Sequence, residues 1–271
     1  MDNNELKKHA NEVRKNIVTM VHAANSGHPG GSLSAADILT FLYFEKMNIN
    51  KSNVASTNRD RFVLSKGHAS PGLYGVLKEA GLMDEDITTF RKINSNLQGH
   101  PNMNEVDGVD MSTGSLGQGI STSVGMALAN KLDKNDNKVY VLIGDGESQE
   151  GLVWEALMAG AHYKLDNLCV ILDLNHLQID GNIEDVMNPT DHIAKAKAFN
   201  YNVVECDGHD FDSIRKAFDE VGKVKDKPTF IVAHTIKGKG VSFMENNYGW
   251  HGKAPSDEEF ATAMNDLKEV K

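Results

Sequence analysis

Short apolar runs that never alternate with polar residues constrain this chain more than any other feature. Val139-Tyr140-Val141-Leu142-Ile143 and Cys169-Val170-Ile171-Leu172 are apolar at every position, so a strand built from either needs cover on both faces. Strands are expected at Arg61–Leu64, Lys138–Ile143, Leu168–Leu172, Asn202–Glu205 and Thr229–His234. Helical patterns separate them, over Glu5–Ala24, Ala35–Phe44, Gly117–Leu132, Leu152–Tyr163, Ile193–Phe199 and Phe211–Val221. Strands alternating with helices imply an α/β fold, a parallel sheet with helices on both faces. A helical lead-in precedes the sheet, and Ser256–Lys271 reads as a solvated helix that ends the chain. With no repeat, low-complexity tract or Pro/Ser linker, the expectation is one domain over residues 1–271.

Charge narrows the function classes. Thirty-eight acidic residues against 28 Lys and Arg give a formal charge of −10, which argues against a nucleic-acid or membrane surface. The start, Met1-Asp2-Asn3-Asn4-Glu5, lacks the layout of a secretory signal. No apolar run approaches the roughly 18–20 residues of a membrane helix. Cys169 and Cys206 each sit in or beside a strand-like run, as buried free thiols do. The expected setting is the cytoplasm.

Glycine points to the site. The 24 glycines of this chain exceed the usual share of roughly 7%, and they cluster at 27–31, 114–119, 144–151 and 238–240. Loops that follow strands of an open parallel sheet are where ligands bind. The loop after Ile143 reads Gly144-Asp145-Gly146, with a helix following. Glycines there suggest a nest for phosphate, yet the Asp145 carboxylate would repel one. A divalent cation between them removes the conflict, since magnesium takes oxygen ligands shared between protein and phosphate. Gly-Asp-Gly alone is an ordinary tight turn. The next strand, however, ends in Asp173-Leu174-Asn175-His176-Leu177. In a parallel sheet its tip lies beside the first loop, where Asn175 offers a side-chain carbonyl and Leu177 a backbone one.

Gly144-Asp-Gly followed after about 30 residues by Asn175 resembles the signature of thiamine-diphosphate enzymes. That resemblance implies Asp145, Asn175 and the Leu177 carbonyl as ligands of Mg2+ (or Ca2+ or Mn2+), with Gly146 and Asn175 also touching the diphosphate.

Eleven histidines are present, and four stand in glycine loops: Gly27-His28-Pro29-Gly30, Gly67-His68, Gly99-His100-Pro101 and Trp250-His251-Gly252. A histidine beside glycine or proline is commonly a solvated loop residue, and these spacings do not suit zinc. Four such loops converging would give neutral donors and acceptors suited to sugar hydroxyls. Together with Thr113-Gly-Ser-Leu-Gly-Gln-Gly119, these motifs resemble the N-terminal half of transketolase from about residue 25 to 254. The resemblance implies transfer of a two-carbon ketol unit from a ketose phosphate to an aldose phosphate, with the cofactor carrying the carbanion chemistry. It sets His68, Gly114, Ser115 and Leu116 against the cofactor, and His28, His100 and His251 against the donor sugar, whose hydroxyl protons histidines of near-neutral pKa would shuttle. Lys237 matches a cofactor-site lysine of some members. Glu150 and Glu155 match interface carboxylates, although exposed first-turn acids are also favoured by the helix dipole.

The resemblance also implies what lies elsewhere. The glutamate that activates the aminopyrimidine, and the arginines that grip sugar phosphate, belong to a pyrimidine-binding region, which a C-terminal region follows. The expectation is a split enzyme, paired in an α2β2 assembly with a C-terminal subunit. Alternatives are a ketol transferase for an unusual sugar and a non-catalytic cofactor-binding subunit. Deoxyxylulose-phosphate synthase fits the Trp250-His-Gly motif less well.

Overall fold

A computed structural model describes residues 1–269. Five strands, β1 (Arg61–Leu64), β2 (Val139–Gly144), β3 (Leu168–Leu174), β6 (Asn202–Asp207) and β7 (Thr229–His234), form one sheet in the order β1-β2-β3-β7-β6. Every pairing is parallel, with Gly144 opposite Asp173 and Leu174 opposite His234. Two short strands, β4 (Leu177–Gln178) and β5 (Gly181–Asn182), make a separate hairpin just beyond β3.

The unbroken apolar runs are explained by what covers each face. Successive side chains of a strand point to opposite faces. Val139, Val141 and Ile143 join one apolar cluster with Ile120 and Val124 of α5 (Gln118–Leu132) and Val153 and Leu157 of α6 (Gly151–His162). Tyr140 and Leu142 join the other, with Ile17 of α1 (Asn3–Ala24), Leu39 of α3 (Ala36–Phe41), Leu77 of α4 (Ser70–Glu79) and Phe218 of α9 (Phe211–Asp219). Cys169 and Cys206 are free and buried. Among the described residues no helix is long and apolar enough to cross a membrane.

Several boundaries differ from the sequence expectation. β3 runs on to Leu174, which carries Asp173 into the interior. The helix expected over Ala35–Phe44 is α3 followed by a wider turn at Leu42–Lys46, and α2 (Pro29–Ser34) precedes it without a counterpart in the expectation. α4 and two short helices, α7 (Ile183–Met187) and α8 (His192–Ala198), complete the connections; α4 and α7 had no counterpart in the sequence reading. In α4, Gly72 lies against Leu39 and Gly75 against the Val13 carbonyl, so the glycines that hide the helix are those that let α1 and α3 approach it. The closing helix, α10, spans Asp257–Asp266 and buries Ala263; the last two residues of the expected segment lie outside the described ones.

Candidate active site

The carboxyl ends of β1, β2, β3 and β7 open into a cleft of about 320 Å3. Such ends are where ligands of parallel sheets sit, notably where strand order reverses, as it does here between β3 and β7. Lining residues come from each loop in turn: Lys66 and His68 after β1, Gly144 to Gly146 and Glu150 after β2, Asn175 and Leu177 after β3, Lys237 and His251 after β7. His28, Gly114 and Leu116 complete the wall.

Asp145 is only 2% exposed. Its Oδ1 accepts the Gly146 N–H at 2.8 Å, and its Oδ2 accepts those of Asn175 at 2.9 Å and His176 at 2.5 Å. The carboxylate therefore ties the two strand-end loops together, as well as presenting negative charge to the cleft. Burial and the Asp173 charge push its pKa up to about 6, against the pull of Lys237 and of the amides it accepts. The Asn175 Oδ1 accepts the Leu177 N–H at 3.2 Å. The Leu177 carbonyl receives the Lys237 ammonium at 3.0 Å, so this oxygen already faces a cation. A carboxylate, an amide oxygen and a backbone carbonyl on two neighbouring strand ends form a hard donor set, the kind that Mg2+ or Ca2+ prefers.

Three expected histidines meet. Ring centroids of His28, His68 and His251 lie 5.1–5.3 Å apart. Lys237 donates to Nδ1 of His251 at 3.1 Å, which leaves the proton of that ring on Nε2. The Nδ1 of His28 is buried without a partner among the described residues. Burial, then Arg91, His100 and Lys237, bring His28 down to about 4; burial, then Lys237, His28 and Lys66, bring His251 down to about 3. Burial also holds His68 well below the ordinary value. These rings are neutral, as expected of sugar-binding donors and acceptors, but they do not titrate near neutrality, because they are buried and face two buried lysines.

His100 and Ser115 depart from the expected arrangement. Both are exposed and neither lines the cleft. His100 packs against Gly114, where an added Cβ would meet its ring at 3.1 Å, so it stands beside the wall, at the exposed rim. Glu150 lines the cleft at its open side and Glu155 is exposed on α6.

The sequence reading missed three buried groups. Lys66 donates to Asp173 and to the Gly31 carbonyl at 2.7 Å, while Asp173 also accepts from Ser34 at 2.6 Å and from Thr235. Burial alone would raise the Asp173 carboxyl, but Lys66 and these hydroxyls hold it low. Glu147, 2% exposed, accepts from Ser65 at 2.6 Å, the Gly117 N–H at 2.9 Å and the Gly144 N–H at 3.1 Å. It thereby pins three glycine loops to one another. Gly117, at φ +80°, takes a backbone form that glycine adopts readily. Lys66, directly before the Gly67-His68 motif, was the one available signal.

The depressed histidines make a pH prediction. The unfolded chain binds protons near pH 6.5 while His28 and His251 resist until about 4 and about 3. Folding stability therefore falls as pH drops through that window. Urea midpoints of the wild type and of His251→Gln, compared from pH 7 to 4, should show a shallower fall in the variant. Parallel curves would contradict the assignment.

The cleft is polar, framed by glycine loops, and places oxygen donors beside two buried ammonium groups. Residues 6–268 match the family described as transketolase, thiamine diphosphate binding domain. The chain is 44% identical over 257 residues to an apulose-4-phosphate transketolase subunit of Phocaeicola vulgatus, covering 94% of this chain and 91% of that one. It is 40% identical over 266 residues to the 6-deoxy-6-sulfo-D-fructose transketolase subunit SqwG of a Clostridium species, covering 97% and 96%. The crystal structure of transketolase from Campylobacter jejuni superposes with a TM-score of 0.92 at 36% identity, covering 98% of this chain. This chain belongs to the transketolase family, as its N-terminal, thiamine-diphosphate-binding part. The expected fold class and transferase class are borne out. The chain spans only 43% of the Campylobacter protein, whereas it matches nearly the whole of both relatives named as subunits.

Proposed function

We propose that this chain supplies the diphosphate- and metal-binding half of a two-chain ketol transferase, assembled as α2β2 with a subunit that carries the pyrimidine-binding half. The observation that carries the reading is the juxtaposition of Asp145, Asn175 and the Leu177 carbonyl beside the Lys237 ammonium. Asp145, Asn175 and Leu177 would hold Mg2+, with Ca2+ or Mn2+ as substitutes of the same oxygen preference. Lys237, His68 and the Gly146 amide would meet the diphosphate, Gly114, Ser115 and Leu116 the ring side, and Glu150 the seam with the partner. Thiamine diphosphate, when bound, supplies the carbon nucleophile and electron sink that ketol transfer requires.

The chain's own residues position and hydrogen-bond. His28, neutral by burial, and His251, whose Nδ1 is taken by Lys237 so that its Nε2 N–H is the free group, would face the oxygens at C1 and C2 of a ketose phosphate. His100 would reach the sugar from the rim. The distal end of the donor is left to the partner. The two subunit relatives are named for sugars as unlike as apulose 4-phosphate and 6-deoxy-6-sulfo-D-fructose, which supports selection of the distal end outside this chain. A cytoplasmic setting suits two unpaired cysteines.

Substitution separates sugar contacts from cofactor contacts. In the assembled enzyme, His28→Ala or His251→Ala should raise the donor KM or lower kcat by roughly 10- to 100-fold, in the range of a lost acid–base or positioning group. Cofactor affinity should be nearly kept. His68→Ala should weaken the cofactor itself. An unchanged cofactor constant for His68→Ala would remove that residue from the diphosphate site. The three rings touch, so double variants are expected to be non-additive.

A further inference from the structure

Behind the loop that follows β7 lies a polar network that the cleft does not use. A separate cavity of about 220 Å3 is lined by Arg14, Asp37, His209, Lys239 and Gly240 among others, none of which lines the cleft. Asp37 receives both Arg14 nitrogens, at 3.0 and 2.6 Å, and is 5% exposed. The same Asp37 accepts from Nδ1 of His209 at 2.7 Å. The opposite nitrogen of His209, Nε2, accepts the Ile236 N–H at 2.9 Å. One ring nitrogen donates and the other accepts, so His209 is a neutral imidazole in a single tautomer. Arg14 acts a second time, donating Nε to the Lys239 carbonyl at 3.1 Å.

The two backbone groups so captured flank Lys237. The Gly238 N–H is held by the Gly30 carbonyl at 3.0 Å, so Ile236, Gly238 and Lys239 are each anchored while Lys237 alone projects into the cleft. Gly240, at φ +94°, lies flat on the Arg14 side chain, and a Cβ there would meet the Arg14 Cδ at 2.9 Å. Three separate segments, carrying Arg14, Gly30 and His209, therefore converge on a loop of six residues. We propose that His209, oriented by the Arg14–Asp37 pair, is a positioning residue that clamps the 235–240 loop and so fixes where the Lys237 ammonium stands. The clamp itself is read from contacts alone; only the consequence for cofactor binding rests on the function proposed above.

Amide substitutions divide the two ends of the imidazole. Asparagine places its NH2 near the Nδ1 position and keeps the donor to Asp37, but offers nothing to Ile236. Glutamine reaches the Nε2 position with its carbonyl and keeps the acceptor for Ile236. Asp37 retains its bidentate Arg14 in both, so no buried charge is left unpaired. Native-state amide hydrogen exchange, read by mass spectrometry on the full chain, should rise about tenfold over residues 235–240 in His209→Asn. His209→Gln should stay near the wild type, and amides of β2 and β3 should be unchanged in both. Arg14→Lys, which loses the fork and the Lys239 contact, gives the same comparison if His209→Asn does not fold. Unchanged exchange over 235–240, or an equal rise in β2 and β3, would overturn the clamp. Titration of thiamine diphosphate with MgCl2 into the two-chain complex should show weaker binding in His209→Asn and recovery in His209→Gln. An opened loop with unaltered affinity would uphold the clamp and instead remove Lys237 from the cofactor site.

Discussion

Asp145→Asn should abolish metal-dependent binding of thiamine diphosphate to the assembled enzyme while leaving the chain folded. Asparagine keeps an oxygen for two of the three amides that Asp145 accepts, from Asn175 and His176, but it turns an NH2 toward the Gly146 N–H. It also removes the single carboxylate of the proposed metal set. A loss of about two orders of magnitude in affinity, roughly 3 kcal/mol, is expected from the missing charge. Asp145→Ala is the harsher variant. Alanine leaves three amides without this acceptor, one buried and two partly buried, at a cost of about 1–3 kcal/mol in stability each at most. Calorimetry of cofactor binding with and without Mg2+, set beside the urea midpoint of each variant, separates the two effects. Equal cofactor affinity in wild type and Asp145→Asn would remove Asp145 from the metal set.

The path from residues to fold was short wherever one face of an element settled its neighbour. Unbroken apolar runs require two covered faces, and the structure covers Val141 with α5 and α6 and Leu142 with α1, α3, α4 and α9. The pairing of Gly144 with Asp173 brings Asn175 beside Asp145 for the same reason, since adjacent parallel strands end together. α4 escaped because Pro71, Gly72 and Gly75 read as loop residues, and only their contact with α1 and α3 makes them helical. At the site, loop motifs identified the histidines, yet a sequence does not show that His28, His68 and His251 share one pocket while His100 stands outside it, beside Gly114. Glu147, Lys66 and Asp173 were illegible for a different reason. Their partners, such as Ser65 for Glu147 and Asp173 for Lys66, lie 82 and 107 residues away, and an acidic or basic residue has no local pattern that announces burial. The same holds for His209, whose two hydrogen bonds join residues 37 and 236.

The second large effect concerns the chain by itself. Its cleft supplies oxygen donors and cations for a diphosphate, but the rings of the cofactor would project past Leu116 and Glu150 toward solvent. Ile179 lines the cleft 63% exposed, and Val186 and Met187 of the nearby α7 are 41% and 63% exposed, apolar surface suited to a protein partner rather than to water. Binding with half a site forfeits the apolar burial that would offset the ordering of ligand and loops. On the two-chain reading proposed above, the isolated chain should bind thiamine diphosphate weakly and show no ketol transfer. The most direct test is ketol transfer followed by mass spectrometry, with ribose 5-phosphate as acceptor and xylulose 5-phosphate among a panel of ketose phosphates as donors. The 271-residue chain is assayed alone and then titrated with a pyrimidine-binding chain from the same organism. No transfer by the chain alone, and turnover that saturates at one copy of each chain, is the predicted result; robust turnover by this chain on its own would contradict the account.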